Sequence, residues 1–326
     1  MRVLVTGGAG FLGSHVVYEL VKRGYEVSIF TKPTTNLFRI RQFIEDKSVH
    51  VHYGDILNAR SFEKAVKNRD YIIHTAALLY HNKRGLVYKV NYLGAVNVFR
   101  AAYKNNVKKV IHVSTAFVNF YKHGVIREDN GYNCLRNEYG ISKMRSELVA
   151  KYYVKKGLDI TIVRPTAIYG AGDTKGWTLF IKFAKKGLLV ISIGNPKMKF
   201  NPIYVSDVAI GILKALEYGC SGESYILAGD EIIEWEKFIE LAMNGKQPLL
   251  YIPEKTLREI VKSIRRSFLG TILMLPDEEM LKIFYKGFVY SNEKAKKELK
   301  WKPLIGLKWG IKLVEKWIEQ GEIFRY

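Results

Sequence analysis

Thr6-Gly7-Gly8-Ala9-Gly10-Phe11-Leu12-Gly13 follows the apolar run Arg2–Thr6 and precedes a segment, residues 14–23, in which Val16, Val17, Leu20 and Val21 recur at helical spacing. Gly7, Gly10 and Gly13 have the spacing G-x-x-G-x-x-G. One glycine allows the tight turn, one lets the backbone approach a pyrophosphate, and one lets helix and strand pack closely. The helix N-terminus then faces the phosphates with free N–H groups. A glycine triplet alone is a common turn. Its place between the first strand and the first helix makes this one a dinucleotide loop.

Working outward, Gly24 ends the helix and Val27–Phe30 is the next strand. Further strands are expected at Val49–Tyr53, Tyr71–His74, Val110–Ser114 and Ile160–Arg164. Helical stretches separate them at Ala59–Lys67, Leu86–Asn105 and Tyr139–Lys156. This alternation predicts an α/β fold, a doubly wound parallel sheet with helices on both faces. After Pro165 the rhythm changes. Residues 170–200 are irregular around one helix, Leu179–Lys186. Late strands are expected at Ile203–Val205 and Tyr225–Leu227, with a helix at Val208–Tyr218 between them. Residues 234–326 read as mostly helical, with Trp235, Trp301, Trp309 and Trp317 available for a small core. The expected division is a dinucleotide-binding domain over 1–169 and a smaller, mostly helical substrate lobe over 170–326, with 201–228 returning to the sheet.

The 326 residues are 48% apolar and 25% charged, which excludes disorder as the main state. Two cysteines exclude a disulfide scaffold, and no Cys/His cluster has metal-ligand spacing, so no metal is expected. No signal-peptide pattern and no unbroken apolar window of 18 residues are present, and a cytoplasmic location is the expectation. Lys and Arg number 52 against 31 Asp and Glu, a formal charge of +21. The basic residues are scattered, often late in a predicted helix where cations suit the dipole, so no nucleic-acid partner is expected. Segment 255–275 is amphipathic: Leu257, Ile260, Val261, Ile264 and Phe268 share one helical face, and Lys255, Arg258, Lys262, Arg265 and Arg266 another. Such a helix can lie on an anionic membrane. Docking of its apolar face into the lobe's own core is the favoured alternative.

An acid at the end of the second strand would bind the ribose 2′-OH of NAD. Here Phe30, Thr31 and Lys32 stand instead. Lys32, with Thr31 and Arg39, is suited to a 2′-phosphate, which favours NADP over NAD; a solvated loop lysine is the plainer alternative. Tyr139 and Lys143 lie four apart and share a helix face. An ammonium beside a phenol favours the phenolate, and such a tyrosine can exchange a proton with a substrate oxygen. Ser114 and Thr115 end the preceding strand, where a hydroxyl points into the ligand crevice.

Together these residues make the chain resemble the extended short-chain dehydrogenase/reductases, the group that includes epimerase/dehydratase enzymes. Thr6–Gly13 matches their T-G-x-x-G-x-x-G loop, Gly54-Asp55-Ile56 their adenine-contacting segment, and His74-Thr75-Ala76-Ala77 the stretch that supports the cofactor after the fourth strand. Tyr139 and Lys143 match Y-x-x-x-K. Arg164-Pro165 and Tyr169-Gly170, with Ala167 between them, match the segment that runs past the nicotinamide. Tyr204–Val208 and Ser291–Pro303 are similar to later landmarks. The resemblance covers nearly the whole chain. It implies cofactor contacts from Gly7, Gly10, Phe11, Leu12, Gly13, Thr31, Lys32, Asp55, Ile56, Ala76, Ala77, Lys143, Pro165 and Ala167. It implies Tyr139 as general acid/base, Lys143 on the nicotinamide ribose, and Thr115, with Ser114 as competitor, orienting the substrate oxygen. Asn91 falls where many members steady the active-site helix and a relay water. Hydride then passes between the nicotinamide and a carbonyl or carbinol carbon.

Sugar-nucleotide members of the family usually carry an asparagine where Ala167 stands. They often carry an arginine where this chain reads Lys199-Phe200-Asn201-Pro202, with Lys197 and Lys199 as substitutes. Phe30–Asn36 is similar to the basic NADP loop of dihydroflavonol-reductase-like proteins. The expected activity is therefore an NAD(P)-dependent oxidoreductase acting on a small-molecule ketone or secondary alcohol. An NDP-sugar epimerase or dehydratase with recycled NAD(P) is the alternative. Monomer and homodimer both remain open.

Overall fold

The computed structural model describes residues 1–79, 83, 85–120, 124–174, 176–187, 191–266 and 277–321. Seven strands form one parallel sheet: β1 Arg2–Thr6, β2 Glu26–Thr31, β3 Val49–Tyr53, β4 Tyr71–His74, β5 Lys109–Val113, β6 Ile160–Pro165 and β7 Ser224–Leu227. Their spatial order is β7-β6-β5-β4-β1-β2-β3. The chain therefore reverses direction across the sheet between β1 and β4, where Val3 pairs with Val27 on one side and Tyr71 on the other. A crevice opens at such a switch point, beyond the carboxyl ends of the strands.

The helices that position the site are α1 Phe11–Lys22, α2 Ala59–Val66, α3 Gly94–Lys104, α4 Glu138–Lys155, α5 Thr178–Lys185, α6 Val205–Tyr218, α7 Trp235–Ala242, α8 Glu254–Arg266, α9 Glu278–Leu281, α10 Glu293–Leu299 and α11 Leu307–Glu319. Alternation along β1 shows why both faces must be covered. Val3 and Val5 point into a core built with Val16, Val17 and Leu20 of α1 and Val208 and Ile212 of α6. Leu4 points into the opposite core, with Phe62 of α2, Val98 and Phe99 of α3 and Ala150 of α4. A strand buried on both sides reads as a continuous apolar run, which is the pattern of all-parallel sheets. Ser224–Leu227 closes the sheet beside β6, with Tyr225 opposite Val163.

A third core lies over the carboxyl end of the sheet. Trp177, Ile181, Phe200, Trp235, Phe238 and Phe288 are buried there, and Tyr139 packs at its margin. Two of the four tryptophans expected in a lobe core are placed differently. Trp301 joins the sheet core against α6, donating its indole N–H to the Asp207 carbonyl at 3.0 Å. Trp309 is 58% exposed, because Leu307, Ile311 and Val314 form the inward stripe of α11 and leave it on the opposite face. On α8, Leu257 and Val261 dock against Leu281, Ile193, Ile252 and Tyr285, the intramolecular alternative for this amphipathic helix. Ile260 stays exposed, and Phe268 lies outside the described residues. Among the described residues no helix is long and apolar enough to cross a membrane.

Candidate active site

The glycine loop works as a packing device before it works as a ligand site. Gly7 has φ +71°, and a Cβ there would lie 2.8 Å from the Ala76 Cα. A Cβ on Gly13 would lie 2.1 Å from the Gly7 carbonyl oxygen, so any side chain there would drive α1 away from β1. No side chain caps α1 at Gly10, and its first N–H groups are left for a ligand. The loop borders a cavity of about 600 Å³ that Thr31, Lys32, Ile56, Ala76 and Ala77 also line.

Gly7, Gly10, Phe11, Leu12 and Gly13 all face this cavity, while Asp55, Lys143, Pro165 and Ala167 do not line it. Thr35, Gly54, Thr75, Leu78 and Val90 line it without having been singled out, although Gly54 and Thr75 lie inside the motifs quoted above. Thr6 is another unanticipated contributor. Its hydroxyl meets His74 Nδ1 at 2.7 Å and accepts from the Ala76 N–H at 3.3 Å, tying the end of β4 to the glycine loop. At the cavity mouth Lys32 Nζ lies 3.1 Å from an Asp55 carboxylate oxygen. Arg39 does not line the cavity, and its guanidinium donates to the Gly172 carbonyl at 2.8 and 3.2 Å.

Thr115 stands two residues past the end of β5, and its hydroxyl accepts from the Phe117 N–H at 3.3 Å. The same hydroxyl lies close enough to the Tyr139 phenol to favour its ionised form. Asn137 caps α4, its Oδ1 accepting from the Gly140 N–H at 2.8 Å, so Tyr139 sits in the first turn. Burial pushes the Tyr139 phenol above the ordinary tyrosine range, and the Thr115 contact opposes this. Lys143, one turn on, is buried and donates to the Val113 carbonyl at 2.6 Å. Burial pulls its pKa down to about 8, with Glu147 acting the other way. The expectation that Lys143 depresses the Tyr139 pKa is thus not met in the free protein: desolvation dominates the phenol, and the ammonium is held by a carbonyl.

Asn91 lies in a wide π turn, Lys89–Leu93, set inside the expected helix Leu86–Asn105. Its amide accepts from the Leu78 N–H at 2.8 Å and donates to the Leu78 carbonyl at 2.9 Å and to Ser142 Oγ at 3.1 Å. It therefore joins the cavity wall to α4 between Tyr139 and Lys143. Ser114 is buried, and its hydroxyl has no hydrogen-bond partner among the described residues. Behind the site, Glu147 of α4 takes a two-pronged bond from Arg164, Nε to Oε1 at 3.0 Å and Nη2 to Oε2 at 2.6 Å. Both side chains are fully enclosed.

Beyond Thr115 lies the aromatic part of the third core, whose rings are buried. The Phe117 ring meets Phe288 edge-on at 5.1 Å, and Trp177 stacks on Phe200 at 5.1 Å. Of the described residues considered for a diphosphate, Asn201 and Lys197 are engaged elsewhere, while Lys199 is exposed. Asn201 gives its amide to the Gly229 and Tyr290 carbonyls and accepts from the Tyr290 N–H. Lys197 pairs with Glu234 and Glu236, and Ala167 offers only its backbone.

A family model for the NAD dependent epimerase/dehydratase family matches residues 3–228. The chain is 29% identical over 325 residues to the decarboxylating sterol-4-alpha-carboxylate 3-dehydrogenase of Bos taurus, covering 93% of this chain and 88% of that protein. It is 29% identical over 274 residues to the UDP-N-acetyl-alpha-D-glucosaminuronate decarboxylase of Bacillus cytotoxicus, covering 77% and 83%. Its fold is that of a UDP-glucose 4-epimerase from Thermotoga maritima, with a TM-score of 0.81 at 23% identity over 98% of this chain and 99% of that one.

Proposed function

The chain belongs to the NAD dependent epimerase/dehydratase family, an enzyme of the extended short-chain dehydrogenase/reductase type, and we propose that it interconverts a ketone and a secondary alcohol on a substrate without a nucleotide. One observation carries this most: the Tyr139 phenol, the Thr115 hydroxyl and buried Lys143 converge at the end of β5, beside a glycine-lined cavity large enough for a dinucleotide. Residues 1–169 with the returning 201–228 form the nucleotide side of this arrangement. The rest of the chain shapes the substrate wall.

The cavity suits NAD(P) on its own chemistry. The uncapped start of α1 offers N–H groups to a pyrophosphate, and the Gly7 and Gly13 positions have no room for a side chain. Bound NAD(P) supplies the hydride donor or acceptor. Gly7, Gly10 and Gly13 hold the phosphates, Ile56, Ala76 and Ala77 flank the adenosine half, and Thr31 with Lys32 take the 2′-phosphate that makes NADP the preferred form. Asp55 steadies Lys32 at that mouth, and Pro165 and Ala167 back the nicotinamide end. Lys143 meets the ribose.

Tyr139 donates its proton to the substrate oxygen during reduction and recovers it during oxidation. Thr115 orients the same oxygen, with Ser114 beside it, and Asn91 holds α4 in place. Burial keeps the phenol protonated, which suits it to the acid role. The aromatic core beside Thr115, and the engagement of Asn201 and Lys197 elsewhere, favour an apolar alcohol over a sugar nucleotide. The sterol dehydrogenase relative points the same way, and the Phe30–Asn36 loop supplies the link to dihydroflavonol-reductase-like enzymes. The UDP-sugar relative favours the second reading, an epimerase or dehydratase that recycles its cofactor.

The test is calorimetric titration of wild type and Tyr139→Phe with NADPH and NADH, followed by a screen of ketones and secondary alcohols. Tight nucleotide binding kept in the variant, with NADPH oxidation lost, is the expected result. UDP-sugar turnover without net change in NAD(P)H would replace it with the epimerase reading.

A further inference from the structure

Asn137 and Asp277, 140 residues apart, meet side chain to side chain. The Asn137 amide nitrogen donates to both carboxylate oxygens of Asp277, at 3.1 and 3.0 Å. Its amide oxygen is thereby turned the other way, toward the Gly140 N–H that it caps at 2.8 Å. Asp277 is itself held: its Oδ1 accepts from the Met280 N–H at 2.7 Å, capping α9. A second contact runs alongside, the Arg136 N–H donating to Glu279 Oε1 at 3.1 Å. Two helix caps thus face each other through one amide–carboxylate pair.

The two elements so joined have different duties. The first turn of α4 carries Tyr139, two residues after Asn137. The segment that follows Asp277 carries Met280, Ile283 and Phe288 of the third core, with Phe284 packed against it. Phe288 touches Phe117, and Trp177 stands 5.2 Å from Phe284, so this segment builds the aromatic wall. An amide side chain can be turned either way, and only one orientation puts its accepting oxygen on the N–H. The Asp277 carboxylate, which accepts and never donates when ionised, selects that one.

We propose that Asp277 is a positioning residue for the reaction: it reaches from the substrate wall to fix the Asn137 cap, and through it the turn that presents Tyr139 to Thr115. This rests on the assignment of Tyr139 as acid/base. It adds that the wall and the proton donor share one anchor, so a substrate that settles on the wall orders the phenol.

A charge exchange tests it. Asn137→Asp caps a helix as well as asparagine does, yet it sets a second carboxylate against Asp277. Adding Asp277→Asn restores a donor facing an acceptor with the roles reversed. Asp277→Ala removes the anchor outright. Three measurements are made on the full chain: hydrogen exchange of amides 138–142 without nucleotide, calorimetric affinity for NADPH, and kcat against KM with the best alcohol or ketone from the screen. Asn137→Asp and Asp277→Ala are each expected to speed exchange of those amides about tenfold, since a loosened cap frays locally. A displaced phenol is expected to lower kcat about tenfold or more with little change in KM. Nucleotide affinity stays within about twofold, because the anchor touches no residue of the glycine cavity. The double variant recovers both exchange and kcat.

Unchanged exchange in both single variants would overturn the proposal, and so would a double variant no better than Asn137→Asp. Should Tyr139→Phe retain full turnover, the acid/base assignment fails while the exchange measurement still decides whether the anchor holds α4.

Discussion

Lys143 Nζ donates a hydrogen bond to the Val113 carbonyl oxygen at 2.6 Å, holding the ammonium on the end of β5, while Tyr139 one turn earlier sits beside Thr115. Spacing alone placed the cation beside the phenol. The backbone carbonyl competes for it, and a buried carbonyl is a strong partner for a buried ammonium. Desolvation then sets the phenol, raising its pKa above the ordinary 10. The free protein is therefore expected to hold Tyr139 fully protonated at neutral pH. Ultraviolet difference titration of wild type against Tyr139→Phe, without nucleotide, measures this. The variant should lack no phenolate signal below about pH 10. A phenolate missing from the variant near pH 7 would show that the ammonium governs the site after all.

Lys32 and Asp55 face each other across the cavity mouth with both side chains about half exposed. A pair so exposed contributes little to stability, so its value lies in what it meets. Arg39 is committed to Gly172, and among the described residues that line this cavity Lys32 is the cation suited to a 2′-phosphate. Lys32→Ala is expected to weaken NADPH binding about tenfold, roughly 1.4 kcal/mol, and to leave NADH within about twofold. Titration calorimetry with both nucleotides measures the ratio. Equal losses for the two would remove Lys32 as the phosphate reader.

The sheet was legible because its strands are buried on both faces: Val3-Leu4-Val5, Ile72-Ile73 and Val110-Ile111 are unbroken apolar pairs and triplets between polar turns. The glycine loop was legible because steric exclusion leaves no other residue at Gly7 and Gly13. What escaped depends on distant chain segments. The two-residue strand Ile168–Tyr169 exists only because it pairs with Ile203–Tyr204, and it is too short to show a period. The π turn at Asn91 follows from the amide's bonds to Leu78 and Ser142, which helical periodicity cannot reveal. Asn137 caps α4, and the carboxylate that orients it comes from Asp277, 140 residues away. Arg39 looked available until the fold brought Gly172 to it.

Glu147 and Arg164 form a buried pair between α4 and β6 with every strong donor engaged. Arg164 also donates to Asn119 Oδ1 and to the Glu128 carbonyl, each at 3.2 Å, and Tyr132 donates to Glu147 at 2.9 Å. Removing one partner of such a pair leaves an uncompensated buried charge, which costs about 3–5 kcal/mol. Glu147→Ala is expected to lose that much in urea unfolding. Glu147→Leu combined with Arg164→Met should be less destabilised than Glu147→Ala, because no charge is stranded. A loss below about 1 kcal/mol in the single variant would mean that water reaches Arg164.

His74 and His112 stack at 5.4 Å beneath the site, both fully buried and both close to the Lys143 ammonium. Burial is the larger cause and Lys143 the second, and together they pull the His74 pKa from 6.5 down to about 3. His112 is likewise held neutral, its Nε2 facing Ser146 Oγ at 2.9 Å. His15 falls to about 4 for the same first reason. Below pH 6.5 the unfolded chain takes up protons that these folded imidazoles refuse. The unfolded state then binds more protons, so stability rises with pH through this window and falls as pH drops from 6.5 toward 4. Each buried histidine costs up to about 1.4 kcal/mol per pH unit there, or roughly 2 kcal/mol between pH 6.5 and 5.0. Carboxylates add their own acid sensitivity, so the informative quantity is a difference of slopes. His74→Asn keeps a polar partner for the Thr6 hydroxyl and removes the titration. Urea unfolding at pH 6.5 and 5.0 should show the variant losing roughly 2 kcal/mol less than wild type over that interval. Identical losses would mean that His74 titrates normally, and that the neutral pair beneath Lys143 is wrongly assigned.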